Sequence, residues 1–265
     1  MPGPKRAEAV LIGVAAGGFS GLTGVGGGAI MVPLMTGRLG LSQHRAHGTS
    51  LAIIVFVAAA GALGYGLAGN IDWPLVLALL PGALAGVYIG AKAMVRVPAL
   101  HLRLLFGLFL LFVAFRQLAW DYSTGARADA DSFLIEAVFG FIGGLAAGML
   151  GIGGGAIFVP AIVIFGLAPD ADPQKVAQGV SLVVIVATGA LGTFVNARQD
   201  TIDSWTLRWI SVAAVLAALL ASLAANATND RVLQVIFGLT ALALGAEMVW
   251  SSVRGLRAPA QVERV

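Results

Sequence analysis

The chain of 265 residues is 58% hydrophobic and 11% charged, with a mean hydropathy of +0.92. Because soluble domains carry about 25% charged residues, a mostly water-facing surface is excluded, and the sequence predicts an all-α polytopic membrane protein. Absence of cysteine excludes disulfides and thiolate metal sites. The net charge is +3, and the sequence has no run of basic residues interleaved with aromatic residues, which argues against nucleic-acid binding.

Apolar stretches of about 20 residues, the length that crosses a bilayer, predict the helices in chain order. The first repeat, 1–120, contains one stretch broken by glycines and three unbroken spans: 7–40, 47–69, 73–95 and 100–120. A polar linker at 121–132 leads to the second repeat, 133–253. That repeat has the same plan, with a basic tail after it at 254–265: 133–166 (broken), 176–197, 204–226 and 231–253.

The two halves are copies of one unit. Residues 20–33 read SGLTGVGGGAIMVP, and residues 147–160 read AGMLGIGGGAIFVP, an offset of 127 residues. Further along the chain the offset becomes 131, where Phe106-Gly107-Leu108 meets Phe237-Gly238-Leu239. The basic stretch before the first apolar segment is typical of a signal peptide. Because that segment has a mid-chain copy, we expect it to belong to the structure.

The distribution of Lys and Arg favours an inverted relation between the repeats. If each broken stretch crosses once, the halves run parallel, with nine basic residues inside and seven outside. If each enters and returns as a re-entrant helical hairpin, the halves are inverted, with twelve inside and four outside. The second arrangement obeys the positive-inside bias better. We therefore predict two inverted repeats, each with a hairpin and three transmembrane helices, and both termini in the cytoplasm.

The glycine-rich breaks are predicted to bind an anion. Glycine tolerates positive φ, and irregular backbone at membrane depth must be buried in protein or face a wet cavity. A helix that restarts there has unpaired N–H groups and the positive end of its dipole at the turn. The alternative is that the glycines only allow tight packing, although two equivalent copies favour the site. Its predicted members are Gly26, Gly27, Gly28, Gly153, Gly154 and Gly155.

Three further glycine series with four-residue spacing are predicted to be helix contacts rather than ligand sites. They start at Gly13, Gly82 and Gly140.

Polar side chains near the breaks are further candidate ligands: Ser20, Thr23, His47, Thr49, Ser50, Gln178 and Ser181. Ser50 and Ser181 are the one hydroxyl kept in both halves, yet a helical serine can instead bond its own i−4 carbonyl. His44 and His47 could share a helix face, where a solvated pair is favoured over a metal site. Among charged residues within spans, Glu136 and Glu247 are candidates for proton coupling, although both lie near span ends.

The doubled motif G-x-G-G-G-A-I-x-V-P, at 24–33 and 151–160, resembles the TauE/SafE family of membrane transporters. The resemblance extends over nearly the whole chain, including Gly48-Thr49-Ser50-Leu51 and Arg103 with Phe106-Gly107. It implies a secondary transporter that exports sulfite or small organosulfonates such as sulfoacetate across the bacterial inner membrane. Val180 replaces the threonine in the second half, so contacts of Thr49 do not carry over there.

Other classes of function stay open at this stage. A channel for small anions, or a transporter of an unrelated small anion, would use the same amide site. An intramembrane enzyme would need a nucleophile with a base, and the sequence offers no catalytic set and no cofactor or metal site. The expected partners are a small anionic substrate and the lipid bilayer, with a coupling proton or sodium ion and a homodimer left open.

Overall fold

The computed structural model describes residues 4–93, 99–119, 133–151, 153–164, 172–197 and 201–257. This part of the chain forms ten α-helices and no strand: α1 Pro4–Thr23, α2 Gly28–Gly37, α3 Gln43–Leu67, α4 Trp73–Ala93, α5 Ala99–Ala119, α6 Phe133–Leu150, α7 Gly155–Ile164, α8 Pro173–Ala197, α9 Ser204–Asn226 and α10 Asp230–Arg257. The predicted all-α class is confirmed. The predicted linker and most of the basic tail lie outside the described residues.

Five helices, α3, α4, α8, α9 and α10, are long and apolar enough to cross a membrane. The outer surface of the bundle is apolar as well: Leu105, Phe115 and Leu134 are exposed by 69%, 69% and 74%. Large exposed apolar surfaces are unfavourable in water. Both observations agree with a membrane-embedded protein.

Each broken stretch consists of two helices joined by a four-residue turn. The first turn has positive φ at Gly24, Gly26 and Gly27, and the second at the equivalent glycines: Gly151, Gly153 and Gly154. Side chains larger than hydrogen are strained in this backbone region. The same local conformation therefore recurs in both halves.

After each turn the chain folds back along the helix it has just left. A Cβ placed on Gly27 would lie 2.7 Å from the carbonyl oxygen of Ala16, and one on Gly154 would lie 2.9 Å from that of Gly143. The ring of Phe158, one turn further along α7, also covers Gly143. This course supports the predicted hairpins.

Each pair of packed helices from the two halves has a counterpart that is formed by the equivalent helices. Helix α1 lies along α9 as α6 lies along α4, while α3 packs on α8 and α5 on α10. Such a pattern indicates a pseudo-two-fold relation between the halves.

Equivalent helices run antiparallel where they meet. In the α3–α8 pair, Gly61 faces Leu182 and Gly189 faces Val55. In the α5–α10 pair, Gly107 faces Val249, while Gly238 faces Leu118. An inverted repeat requires this direction. The orientation of the halves relative to a bilayer stays a prediction.

The glycine series starting at Gly13 and Gly140 are helix contacts, as predicted. Gly17 lies against Ala214 of α9, and Gly144 against Ala83 of α4, in both cases with backbone facing backbone. The series from Gly82 forms the other side of the α4–α6 contact, where a Cβ on Gly82 would lie 1.9 Å from the oxygen of Ala137.

Replacing Gly17 with alanine should destabilise the protein, because the new Cβ would lie 2.1 Å from the oxygen of Ala214. Overpacking of this kind costs about 1–3 kcal/mol. Gly18→Ala is the matched control, since a Cβ at Gly18 has no neighbour within 4 Å. Thermal unfolding in detergent should show a lower midpoint for G17A only; equal midpoints for both variants would contradict the packing argument.

Candidate functional site

The two glycine-rich turns meet at the centre of the bundle. A Cβ placed on Gly155 would lie 2.3 Å from the carbonyl oxygen of Gly24 and 2.7 Å from the Cα of Val25. Ser181 on α8 donates a hydrogen bond to the same Gly24 oxygen at 2.8 Å. The start of α7 therefore contacts the turn that precedes α2.

The first amides of α2 and α7 point away from their own helices, which offer them no acceptor. In α2, the N–H groups of Ile30 and Met31 both donate to the oxygen of Gly27, and no side chain caps the helix. In α7, the equivalent bonds run from Ile157 and Phe158 to Gly154. No described residue accepts a hydrogen bond from the two amides before them, at 28–29 and 155–156. These four donors, together with the helix dipoles, favour an anion.

A cavity of about 290 Å³ reaches these helix starts from one end of the bundle. Gly28, Ala29 and Ala156 form its inner part. The other lining residues come from α2, the start of α3, the first half of α5 and the last half of α10: Val32, Pro33, Thr36, Gln43, Phe106, Leu110, Leu244, Glu247, Met248 and Ser251. Glu247 is thus placed at the cavity, whereas the half-buried Glu136 lies in the first turn of α6.

At the opposite end, the residues equivalent to the cavity lining are packed together. With the 131-residue offset, Gln43, Phe106, Leu110, Leu244 and Met248 correspond to buried side chains: Gln174, Phe237, Ala241, Val113 and Gln117. The Gln117 side chain donates to Gln174 Oε1 at 3.4 Å, and Gln234 donates to the Gln117 carbonyl at 2.9 Å. We refer to Gln117, Gln174 and Gln234 as the glutamine seal.

All seven predicted polar candidates are buried. Three of them are engaged within the protein. Thr23 donates to the carbonyl of Phe19, and Thr49 accepts from the Asp203 amide at 2.9 Å. Ser181 donates to the carbonyl oxygen of Gly24.

The other four candidates each have a buried polar atom without a hydrogen-bond partner: Ser20 Oγ, His47 Nε2, Ser50 Oγ and Gln178 Nε2. The expected solvated histidine pair is wrong for His47, which is 7% exposed. Buried donors and acceptors are seldom left unpaired. Free polar atoms of this kind are available to a ligand.

Tyr65 is a residue of this region that sequence analysis missed. Its hydroxyl lies 2.5 Å from Gln178 Oε1 and 3.0 Å from the carbonyl oxygen of Gly21. It thereby connects α3 to α1 and α8 beside the first turn. A buried tyrosine hydroxyl needs a hydrogen-bond partner. The presence of a tyrosine within a predicted apolar span was therefore the only signal of this contact in the sequence.

Removing this hydroxyl should destabilise the protein. Tyr65→Phe removes the single hydroxyl proton that lies between the buried oxygens of Gln178 and Gly21, and such a loss costs about 1–3 kcal/mol. Tyr88→Phe is the control, because Tyr88 is exposed and its hydroxyl contacts the exposed side chain of Lys92. Thermal unfolding should show a lower midpoint for Y65F than for Y88F; the reverse order would refute a structural role for Tyr65.

Comparisons with known proteins agree with a membrane-embedded protein. The family model described as "Sulfite exporter TauE/SafE" matches residues 2–116 and 136–264. A "Probable membrane transporter protein" of Xylella fastidiosa strain 9a5c is 27% identical over 259 residues, covering 92% of this chain and 97% of that protein. YjnA of Bacillus subtilis, also named a probable membrane transporter, is 25% identical over 259 residues, covering 91% and 98%. No solved structure gives a significant match.

Proposed function

Because the chain belongs to the TauE/SafE family of membrane transporters, we propose that it is a secondary transporter for a small sulfur oxyanion or organosulfonate. The site would be formed by the first amides of α2 and α7, where the two turns meet. Sulfite, sulfoacetate and related ions are small enough to approach backbone N–H groups closely. The observation that carries the proposal is a cavity that reaches the starts of both helices, where Gly28, Ala29 and Ala156 line it.

The closed opposite end favours a transporter over an anion channel. A channel needs a continuous path, whereas here the residues equivalent to the cavity lining are buried, and two of them, Gln117 and Gln174, belong to the glutamine seal. Alternating access between two such ends is the usual mechanism of transporters built from inverted repeats. This conformer would be open to the cytoplasm if both termini lie inside, since the cavity opens beside the C-terminal half of α10.

Flux measurements separate the two functions. Purified protein in proteoliposomes should take up radiolabelled sulfite, sulfoacetate or thiosulfate with saturation and with dependence on an ion gradient. Conductance at rates far above enzyme-like turnover would favour the channel. Absence of any flux across the panel would refute anion transport.

Deleting one orphan amide should weaken anion binding. Ala29→Pro removes an N–H group, and the first turn of a helix tolerates proline. A hydrogen bond to a charged group contributes about 1.5–3 kcal/mol, so the affinity for a sulfonate should fall by about tenfold or more. Ala29→Val adds similar bulk but keeps the N–H group. Calorimetry on purified protein should show the larger loss for A29P; the same loss for both variants would contradict the amide site.

The absence of cysteine allows a clean test of the cavity and of its sidedness. Ser251 lines the cavity, whereas its neighbour Ser252 is fully buried. A cysteine at Ser251 should therefore react with a membrane-permeant maleimide in intact cells, and a bound anion should slow the reaction. A cysteine at Ser252 should stay unlabelled. Labelling of S251C by an impermeant reagent added outside would contradict the cytoplasmic opening.

A further inference from the structure

A buried titratable side chain lies against the second glycine-rich turn. His47 of α3 is 7% exposed. A Cβ placed on Gly151 would lie 2.2 Å from its Nδ1 and 2.3 Å from its Cε1. The imidazole thus occupies the space that glycine at this position leaves free.

The position of His47 along α3 connects this turn with the cavity. Gln43, which lines the cavity, precedes His47 by four residues, and Ser50 follows it by three. Residues with this spacing share one helix face. Since His47 Nε2 and Ser50 Oγ both lack partners, two unsatisfied polar groups follow Gln43 along this face.

The equivalent position beside the first glycine-rich turn differs in its hydrogen bonding. Gln178 lies against Gly24 as His47 lies against Gly151, but its Oε1 is bonded by Tyr65. The residue equivalent to Tyr65 is Thr193, by the match of Gly61-Ala-Leu-Gly64 with Gly189-Ala-Leu-Gly192, and its hydroxyl has no partner. Among the described residues, a titratable side chain with a free hydrogen-bonding atom therefore lies against the second turn but not against the first.

We propose that His47 takes up a proton when an anion binds at the two turns, so that the protein carries anion and proton together. This inference rests on the proposed function. An anion nearby favours the protonated imidazolium over the neutral ring. By reciprocity, the proton on His47 strengthens anion binding by the same factor. The site needs no permanent charge, and the empty site can stay neutral.

Other titratable groups surround α3 without contacting the turn as His47 does. Helices α2 and α7 contain none. The groups on the remaining neighbours are His44, Arg45 and Tyr65 on α3 itself, Asp203 at the start of α9, Arg208 on α9, Lys5, Arg6 and Glu8 on α1, and Lys175 on α8, to which the cavity adds Glu247 of α10. Of these, Glu247 shares the cavity and is the competing candidate for the proton.

The test measures how the affinity of the purified full-length protein for methanesulfonate, a monoanion throughout this range, changes between pH 5.5 and 8. For the natural chain, affinity should rise towards low pH, by up to about tenfold per pH unit for one linked proton. A pH dye in weak buffer should report proton uptake on binding. His47→Gln, which installs the residue found at the equivalent position, should bind with little pH dependence. Glu247→Gln and the exposed-site control His44→Gln should keep it.

Three results would overturn the inference. They are pH dependence that survives in H47Q, pH dependence that is lost in E247Q, and binding to the natural chain without proton uptake. The last needs no variant, so it decides the question even if H47Q fails to fold. Failure of the natural chain to bind any sulfonate at any pH would overturn the proposed function as well, and is thereby distinguishable.

Discussion

Where the chain interrupts a helix inside an apolar protein, its backbone N–H groups need hydrogen-bond partners. This constraint governs the rest of the structure. Leaving such a group without a partner costs free energy comparable to a lost hydrogen bond. The chain leaves a helix twice at depth, after Thr23 and after Leu150. The described residues of both turns are buried, and each turn contacts protein from both halves, as irregular backbone in a membrane requires.

Burying the turns explains much of the surrounding packing. Helix α1 must lie close to α9, and α6 close to α4, and glycines provide that close approach. Ser181 and Tyr65 then bind carbonyl oxygens at the first turn. The amides at the starts of α2 and α7 are the groups that remain without partners, and the cavity leads to them.

The sequence was sufficient for features that depend on local composition. Apolar length indicated the five helices long enough to cross a membrane, and the doubled motif indicated where both helices are interrupted and which residues are equivalent. It also brought His47, Ser50 and Gln178 onto the list of candidates. The hydrogen bonds of Thr49 with Asp203 and of Tyr65 with Gln178 could not be predicted from the sequence, because each joins residues more than 100 positions apart along the chain. Whether a hydroxyl is already engaged or free for a ligand depends on such distant contacts.

The open and closed ends were also beyond sequence analysis, because equivalent residues have opposite environments in one conformer. The duplication predicts that Gln43 and Gln174 are alike, yet one lines a cavity and the other belongs to the seal. Two copies of one unit can differ in this way only if the local sequence tolerates both environments. That tolerance is what a protein with two exchangeable ends requires.

The antiparallel pair α5–α10 connects the two ends physically. The first half of α5 and the last half of α10 line the cavity, while Gln117 near the end of α5 and Gln234 near the start of α10 form the seal. The seal is weakly satisfied, since Gln117 Oε1 and Gln174 Nε2 have no partners. Under alternating access, a tilt of this pair against the hairpins would narrow the cavity and separate Gln117 from Gln174 in a single motion. Because the turns meet between the two ends, the anion site would keep its amides throughout that motion and change only the side from which it is reached.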